Sequence, residues 1–132
     1  MNNLVVLETG GMKGRGREMV REELHNLLGT AFRVKRISSE YGMTELLSQA
    51  YLDENGYFKC PSWMKISIRD INDPFSYVRD GKTGAINVID LANIHSCAFV
   101  ETEDLGVKSS DGFRVLGRLD NSDMRGCNLL VS

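Results

Sequence analysis

The sequence predicts an α/β fold in which one βαβ unit precedes a mostly antiparallel β half. Residues 4–7 form a short apolar run, a helical pattern starts at Arg17, and residues 32–37 combine β-branched and aromatic residues with basic ones. Strand, helix and strand over about 35 residues is the size of one βαβ unit. We therefore expect a single domain, with an α/β half over residues 1–56 and a mainly β half over residues 57–132.

The helix of the βαβ unit is predicted from apolar residues at helical spacing. Apolar side chains between residues 19 and 28 share one helical face, charged residues occupy the other, and Gly29 ends the pattern. A second helical stretch is predicted further along, where Leu46, Leu47 and Ala50 are apolar.

The second half contains strand patterns separated by turns. Residues 64–69 alternate between apolar and polar side chains, which is typical of a strand. Residues 85–91 show little alternation, so we expect that strand to be buried on both faces. Turns are predicted at residues 70–74 and 80–84. The remaining strand candidates are residues 97–100, 113–116 and 129–131.

The composition excludes several classes of function. The chain is 42% hydrophobic and 26% charged, and its net charge of -2 argues against a dedicated surface for nucleic acid or anionic lipid. No apolar run reaches the roughly 18 residues of a membrane span, and the start does not resemble a signal peptide. The three cysteines are not closely spaced, which indicates free thiols in the reducing environment of the cytoplasm.

Residues 41–45, Tyr-Gly-Met-Thr-Glu, form the first of four polar clusters. A glycine such as Gly42 lets the backbone turn beside a bulky ligand, Thr44 offers a hydroxyl to a phosphate oxygen, and Glu45 can bind Mg²⁺. Alternatively, Thr44 caps a helix and Glu45 interacts with its dipole. Spacing alone favours this second interpretation.

Three further clusters lie in the second half. Residues 101–106 follow an apolar strand, and carboxylates at a strand end can bind ribose hydroxyls. Residues 117–120 contain an arginine that can reach a sugar or phosphate. In residues 125–127, arginine precedes Cys127, and positive charge nearby favours the reactive thiolate. Each cluster also has an alternative interpretation. Residues 101–106 can be a solvated acidic turn, the arginine of 117–120 can form a surface ion pair, and Cys127 can be a buried, inert cysteine.

Together these clusters resemble the motifs of adenylate-forming enzymes, in order and in approximate spacing. Residues 41–45 resemble the YGxTE motif, and Gly10-Gly11 before a helix resembles the adenine-side loop. Residues 84–91 together with 102–106 resemble the GxxGEL…TGDL pair. Residues 117–120 together with 125–126 resemble the GRxDD…RG motif.

Within that superfamily the chain is most similar to acyl-protein synthetases, which activate fatty acids for bacterial luminescence, and to phenylacetate–CoA ligases. Three details favour acyl-protein synthetases: Gly-Gly-Met-Lys at residues 10–13, Ile-Arg-Asp at 68–70, and Arg-Gly-Cys at 125–127. In that family a cysteine near the carboxyl terminus receives the acyl group, and Cys127 lies at the matching place.

The resemblance implies a role for each motif residue. Asp104 and Arg118 would bind the ribose hydroxyls, Thr44 would contact the α-phosphate, and Glu45 would hold Mg²⁺. Gly10, Gly11 and Tyr41 would border the adenine, and Gly42 would be a further nucleotide-binding residue.

The implied reaction converts a carboxylate and ATP to an acyl-adenylate and pyrophosphate, and then transfers the acyl group to a thiol. Thr44, Glu45 and Cys127 would be catalytic, and Asp120 would lie at the hinge of a mobile lid. The implied cofactors are ATP and Mg²⁺. The implied partners are a small-molecule carboxylate, with a fatty acid favoured, and an acyl-acceptor or reductase protein.

The chain also departs from the family. Residues 102–104 read Thr-Glu-Asp instead of Thr-Gly-Asp, and the upstream phosphate loop and substrate-binding region are missing. We therefore expect the carboxyl-terminal portion of a longer enzyme, incomplete for turnover alone. Two alternatives stay open: a non-catalytic module that binds a partner or forms a homodimer, and a metal-binding protein. The latter would use the side chains of Cys60, His95, Cys97 and Cys127.

Overall fold

The structure is a computed structural model, and it describes residues 4–10, 19 and 21–119. Eight strands form one sheet in the order β1-β2-β3-β4-β8-β7-β6-β5. β1 and β2 are parallel, and every other neighbouring pair in this sheet is antiparallel. The elements are β1 (Val6–Glu8), α1 (Arg21–Phe32), β2 (Ile37–Tyr41), β3 (Ala50–Leu52), β4 (Phe58–Lys59), β5 (Met64–Arg69), β6 (Thr83–Asp90), a 3₁₀ turn (Leu91–Asn93), β7 (Phe99–Ser109) and β8 (Gly112–Arg118).

The predicted βαβ unit is present, with α1 as the crossover between the two parallel strands. Val6 pairs with Ile37 and Glu8 with Ser39. α1 continues past Gly29 and ends at Phe32, before a residue in the left-handed region, Arg33, with φ of 53°. Phe32 therefore belongs to the helix, and the second strand starts later than its predicted bounds of 32–37.

The core lies where the sheet curls on itself. Tyr41 of β2 contacts Phe113 of β8 at a ring-centroid distance of 5.3 Å, although β3 and β4 lie between these strands in the sheet. Both of those strands are short, which lets the sheet bend sharply there. The buried hydrophobic cluster consists of Tyr41, Leu46, Ala50, Phe58, Met64, Ile66, Ile68, Ile86, Val88 and Phe113.

The helix predicted from the apolar residues 46–50 is wrong. Residues 46–49 form a loop, and Ala50 is the first residue of β3. The amides of Leu47 and Ser48 donate to the Asp90 carboxylate at 2.9 and 2.8 Å, so they are not available to the carbonyls of a preceding helical turn. A distant acidic side chain overrides the local apolar pattern here.

The strands of the second half follow the predicted order. β5 and β8 contain the predicted residues 64–69 and 113–116, and β6 covers most of 85–91. β7 begins at Phe99 and continues to Ser109, so residues 101–106 lie inside a strand rather than after one. The candidate strand 129–131 lies outside the described residues. Within the described ranges, the structure contains no helix with the length and hydropathy needed to cross a bilayer.

Candidate functional site

Three of the motif residues, Tyr41, Asp104 and Arg118, meet at one place in the structure. Tyr41 is the last residue of β2, Asp104 lies within β7, and Arg118 is the last residue of β8. The Tyr41 hydroxyl donates to Asp104 Oδ2 at 2.9 Å. Arg118 Nε lies 3.7 Å from Asp104 Oδ1, and these two residues are direct neighbours across the β7–β8 ladder. Each carboxylate oxygen of Asp104 therefore has a different partner.

An irregularity in β7 orients Asp104. Between the pairs Ala85–Leu105 and Asn87–Glu101, β6 contributes only Ile86, whereas β7 contributes residues 102–104. Such a bulge bends a strand and redirects side chains, and bulges are frequent beside active sites. The sequence pattern did not indicate it, because extra residues on one strand become visible only when the partner strand is known.

Thr102 satisfies the backbone groups that the bulge leaves unpaired. Its buried hydroxyl donates to the carbonyl of Ile86 at 2.7 Å and accepts from the amide of Asp104 at 3.1 Å. The carbonyl of Thr102 accepts from Arg69 Nη2 at 2.9 Å. Arg69 Nε also lies 2.9 Å from Glu101 Oε1, an ion pair that lacks the angle of a hydrogen bond.

The electrostatics of the site are set by one half-buried carboxylate and one exposed cation. The Asp104 side chain is 19% exposed, and the Arg118 side chain is 69% exposed. Burial, and then the negative charge of Asp104, raise the pKa of Tyr41 well above its ordinary value. Tyr41 therefore stays protonated and donates a hydrogen bond to Asp104. Glu103, the departure from the Thr-Gly-Asp pattern, accepts from Arg118 Nη2 at 3.2 Å and is exposed.

Thr44 and Glu45 are exposed on the loop between β2 and β3. No helix follows this loop, so the interpretation of Thr44 as a helix cap is wrong. Within the described ranges, no hydrogen bond or ion pair joins either side chain to Asp104 or Arg118. Tyr41, at the start of the loop, is the residue that connects the two motifs directly.

Asp90, which sequence reasoning missed, holds the Thr44–Glu45 loop in place. It is fully buried and accepts from Leu47 N, Ser48 N and Ser48 Oγ, the last at 2.7 Å. Burial by itself opposes ionisation, but these hydrogen bonds, with a further one from Ala92 N, lower the pKa of Asp90 below its ordinary value. The sequence did contain a signal for this role, because Asp90 is an acidic residue within a run of apolar strand residues.

Gly10 lies at the carboxyl end of β1, on a polar cluster that the sequence also did not indicate. Its φ of 74° favours glycine, and its amide donates to Glu8 Oε2 at 2.6 Å. Ser39 of β2 donates to the other oxygen of Glu8. His25 Nε2 of α1 lies 3.0 Å from Ser39 Oγ. The polar side chains of this cluster therefore connect β1, β2 and α1 next to Gly10.

Several predicted residues lie outside the described part of the chain: Gly11, Asp120 and Cys127. Of the other two cysteines, Cys97 is exposed and Cys60 is half-buried. Burial raises the pKa of Cys60 to about 11, which disfavours its thiolate. Among residues 4–10, 19 and 21–119, no group of three His, Cys, Asp or Glu side chains is arranged to hold a metal ion.

The fold resembles parts of larger solved structures. Apo MatB from Rhodopseudomonas palustris matches 86% of this chain at 15% identity and a TM-score of 0.58. A benzoate CoA ligase from Burkholderia xenovorans LB400 matches 76% at 17% identity and a TM-score of 0.52. The anthranilate CoA ligase AuaEII, solved with anthranoyl-AMP, matches 76% at 16% identity and a TM-score of 0.54.

The chain spans only about a quarter of these proteins, namely 25%, 24% and 23% of their lengths respectively. No protein-family model and no curated protein matches the sequence. At these identities the likeness concerns the fold. It confirms the predicted fold class, an α/β fold in which a βαβ unit precedes a mostly antiparallel β half.

Proposed function

We propose that this chain is the nucleotide-binding carboxyl-terminal part of an ATP-dependent acid–thiol ligase. The observation that carries this proposal is the meeting of Tyr41, Asp104 and Arg118, which come from three strands and three separate motifs. The matched structures include two CoA ligases, one of them solved with an acyl-adenylate. The reaction would join a carboxylate to AMP, release pyrophosphate, and then transfer the acyl group to a thiol.

Asp104 and Arg118 would bind the ribose. A carboxylate accepts hydrogen bonds from the two adjacent hydroxyls of a ribose, and the exposed guanidinium donates to sugar or phosphate oxygens. The Asp104 side chain keeps 19% of its surface exposed after contacting Tyr41 and Arg118, so a ligand can reach it. Gly10, which follows the carboxyl end of β1, would border the adenine side, and the resemblance assigns Gly11 the same role.

Thr44 and Glu45 would face the phosphates. Their side chains are exposed, and an oxygen donor set of hydroxyl and carboxylate fits a hard cation. Mg²⁺, when bound by Glu45, would supply positive charge against the phosphate oxygens. The Thr44 hydroxyl would donate to the α-phosphate, and Asp90 would keep the loop in position through Leu47 and Ser48.

Isothermal titration with ATP and Mg²⁺ tests the nucleotide site. We expect the chain to bind ATP and the Asp104→Asn variant to bind it about tenfold to a hundredfold more weakly, because a hydrogen bond to a charged group is lost. Asp111→Asn is the matched control, since Asp111 lies exposed in the turn between β7 and β8. A folded chain that binds no ATP, or equal losses in both variants, contradicts the proposal.

Cys127 would be the acyl acceptor, with a fatty acid as the substrate and the cytoplasm as the location. The raised pKa of Cys60 makes that thiol a poor competitor. Mass spectrometry of the longer enzyme that contains this chain, after incubation with ATP and labelled fatty acid, should find label on Cys127 and none in Cys127→Ser. Label on Cys60 or Cys97, or label that persists in the variant, rules this acceptor out.

A further inference from the structure

Tyr41 is placed to act on a nucleotide through Asp104 rather than by touching the base. We propose that Tyr41 is a positioning residue whose hydroxyl holds the Asp104 carboxylate in the orientation that receives the sugar hydroxyls. This inference rests on the proposed nucleotide site. It departs from the expectation that Tyr41 borders the adenine.

The ring of Tyr41 is part of the core. Tyr41 is 8% exposed, and its ring packs edge-on against Phe113 at 5.3 Å and 82°. It also lies 6.0 Å from the ring of Phe58, and both phenylalanines are buried. A ring fixed in this aromatic cluster has little surface left for stacking on a base.

The hydroxyl of Tyr41 is directed at the Asp104 carboxylate. It donates to Asp104 Oδ2 at 2.9 Å and is the only group from β2 or the loop after it that bonds to Asp104 within the described residues. Because burial and the Asp104 charge keep this phenol protonated, it can only be the donor of the pair. A donor anchored in the core defines where its acceptor lies.

Without this bond, the nearest partner of Asp104 would be Arg118. Arg118 Nε lies 3.7 Å from Oδ1 and its side chain is largely exposed, so it does not define one orientation of the carboxylate. The amide of Asp104 is fixed by Thr102, which determines the backbone but not the side-chain rotamer. Tyr41 therefore supplies the remaining constraint, and preorganised acceptors bind more tightly than mobile ones.

The test compares ATP with 2′,3′-dideoxy-ATP by titration calorimetry of the full chain. We expect Tyr41→Phe to weaken ATP binding about tenfold and to leave the weaker dideoxy-ATP binding unchanged, so that discrimination between the two is lost. Tyr77→Phe, which removes the hydroxyl of an exposed tyrosine, should change neither. The double variant Tyr41→Phe/Asp104→Asn should lose no more affinity than Asp104→Asn alone.

The outcomes separate this inference from the function on which it rests. If the wild-type chain binds no ATP or does not discriminate the sugar, both fail. If it discriminates but Tyr41→Phe does so equally well, or loses affinity for both nucleotides alike, only the role of Tyr41 is overturned. Additive losses in the double variant overturn it as well.

A measurement on the unmodified protein covers the case in which Tyr41→Phe does not fold. The ring protons of Tyr41 should shift little in the NMR spectrum when ATP binds, because the ring stays in the core. A large upfield shift would show that the base stacks on this ring, and the positioning role would then be wrong.

Discussion

At the residue scale, buried polar side chains determine where the motif residues lie. Asp90 holds the loop that carries Thr44 and Glu45, and Thr102 completes the bulge that carries Asp104. The motif residues themselves were predicted from the sequence by resemblance, and their roles stay predictions. Their supports could not be predicted, because Asp90 and Thr102 act on residues far away in the chain or on a neighbouring strand.

The Asp90 carboxylate should make stability depend on pH. Its pKa is lower in the folded protein than in the unfolded chain, where the pKa of an aspartate is about 3.9. Its contribution is therefore complete above that value and is lost as the pH falls through the lower pKa of the folded state. We expect the Tm of the wild-type protein to decrease once the pH is lowered below about 4. Asp90→Asn should have a lower Tm at neutral pH, and its Tm should change less as the pH is lowered.

The physical reason is the arrangement of donors around both oxygens of Asp90. Oδ2 accepts from the amides of Leu47 and Ser48, and Oδ1 accepts from Ser48 Oγ and Ala92 N. An asparagine amide nitrogen would face a donor in either orientation, at a cost of about 1–3 kcal/mol. Thermal unfolding between pH 2 and pH 7 measures the difference, with Asp111→Asn as the control. An Asp90→Asn curve parallel to that of wild type would contradict this account.

At the scale of elements, the strand patterns predicted β5, β6 and β8, whereas only one of the two predicted helices is present in the described part of the chain. The alternation of residues 64–69 reflects the local environment of β5, where Met64, Ile66 and Ile68 are buried and Lys65 and Ser67 are more exposed. The stretch after Glu45 is apolar at helical spacing, yet Asp90 takes its amides. β7 was predicted to end before residue 101 because its acidic residues resemble a turn; Glu101 and Glu103 are instead the exposed residues of a strand whose Thr102 is buried.

At the scale of the whole molecule, β1 forms a parallel edge of the sheet, and among the described residues it pairs only with β2. Apolar residues directly precede β1: Leu4 is 51% exposed and Val5 is 81% exposed. Parallel strands are usually covered on both faces, and an apolar edge invites pairing with another chain. This exposure favours the alternative that the isolated chain forms a homodimer through β1.

Light scattering coupled to size-exclusion chromatography measures that association. We expect the apparent mass to rise with concentration, and Val5→Lys to abolish the rise, because a charge directly before an edge strand opposes its pairing with another chain. Phe75→Lys is the matched control, since Phe75 is 93% exposed but lies in a turn away from β1. A monomer at every concentration, or an equal effect of both variants, would exclude β1 as the interface.

The curl that brings Tyr41 onto Asp104 also dictates when this pair can form during folding. The two residues are 63 positions apart, so the pair closes a long stretch of chain and has high contact order. The pair cannot form until the hairpin of β7 and β8 has docked against β4. Transient detachment of that hairpin would remove the support of the Asp104 carboxylate while the β5–β6 ladder remained intact. The proposed nucleotide binding would then be lost without global unfolding.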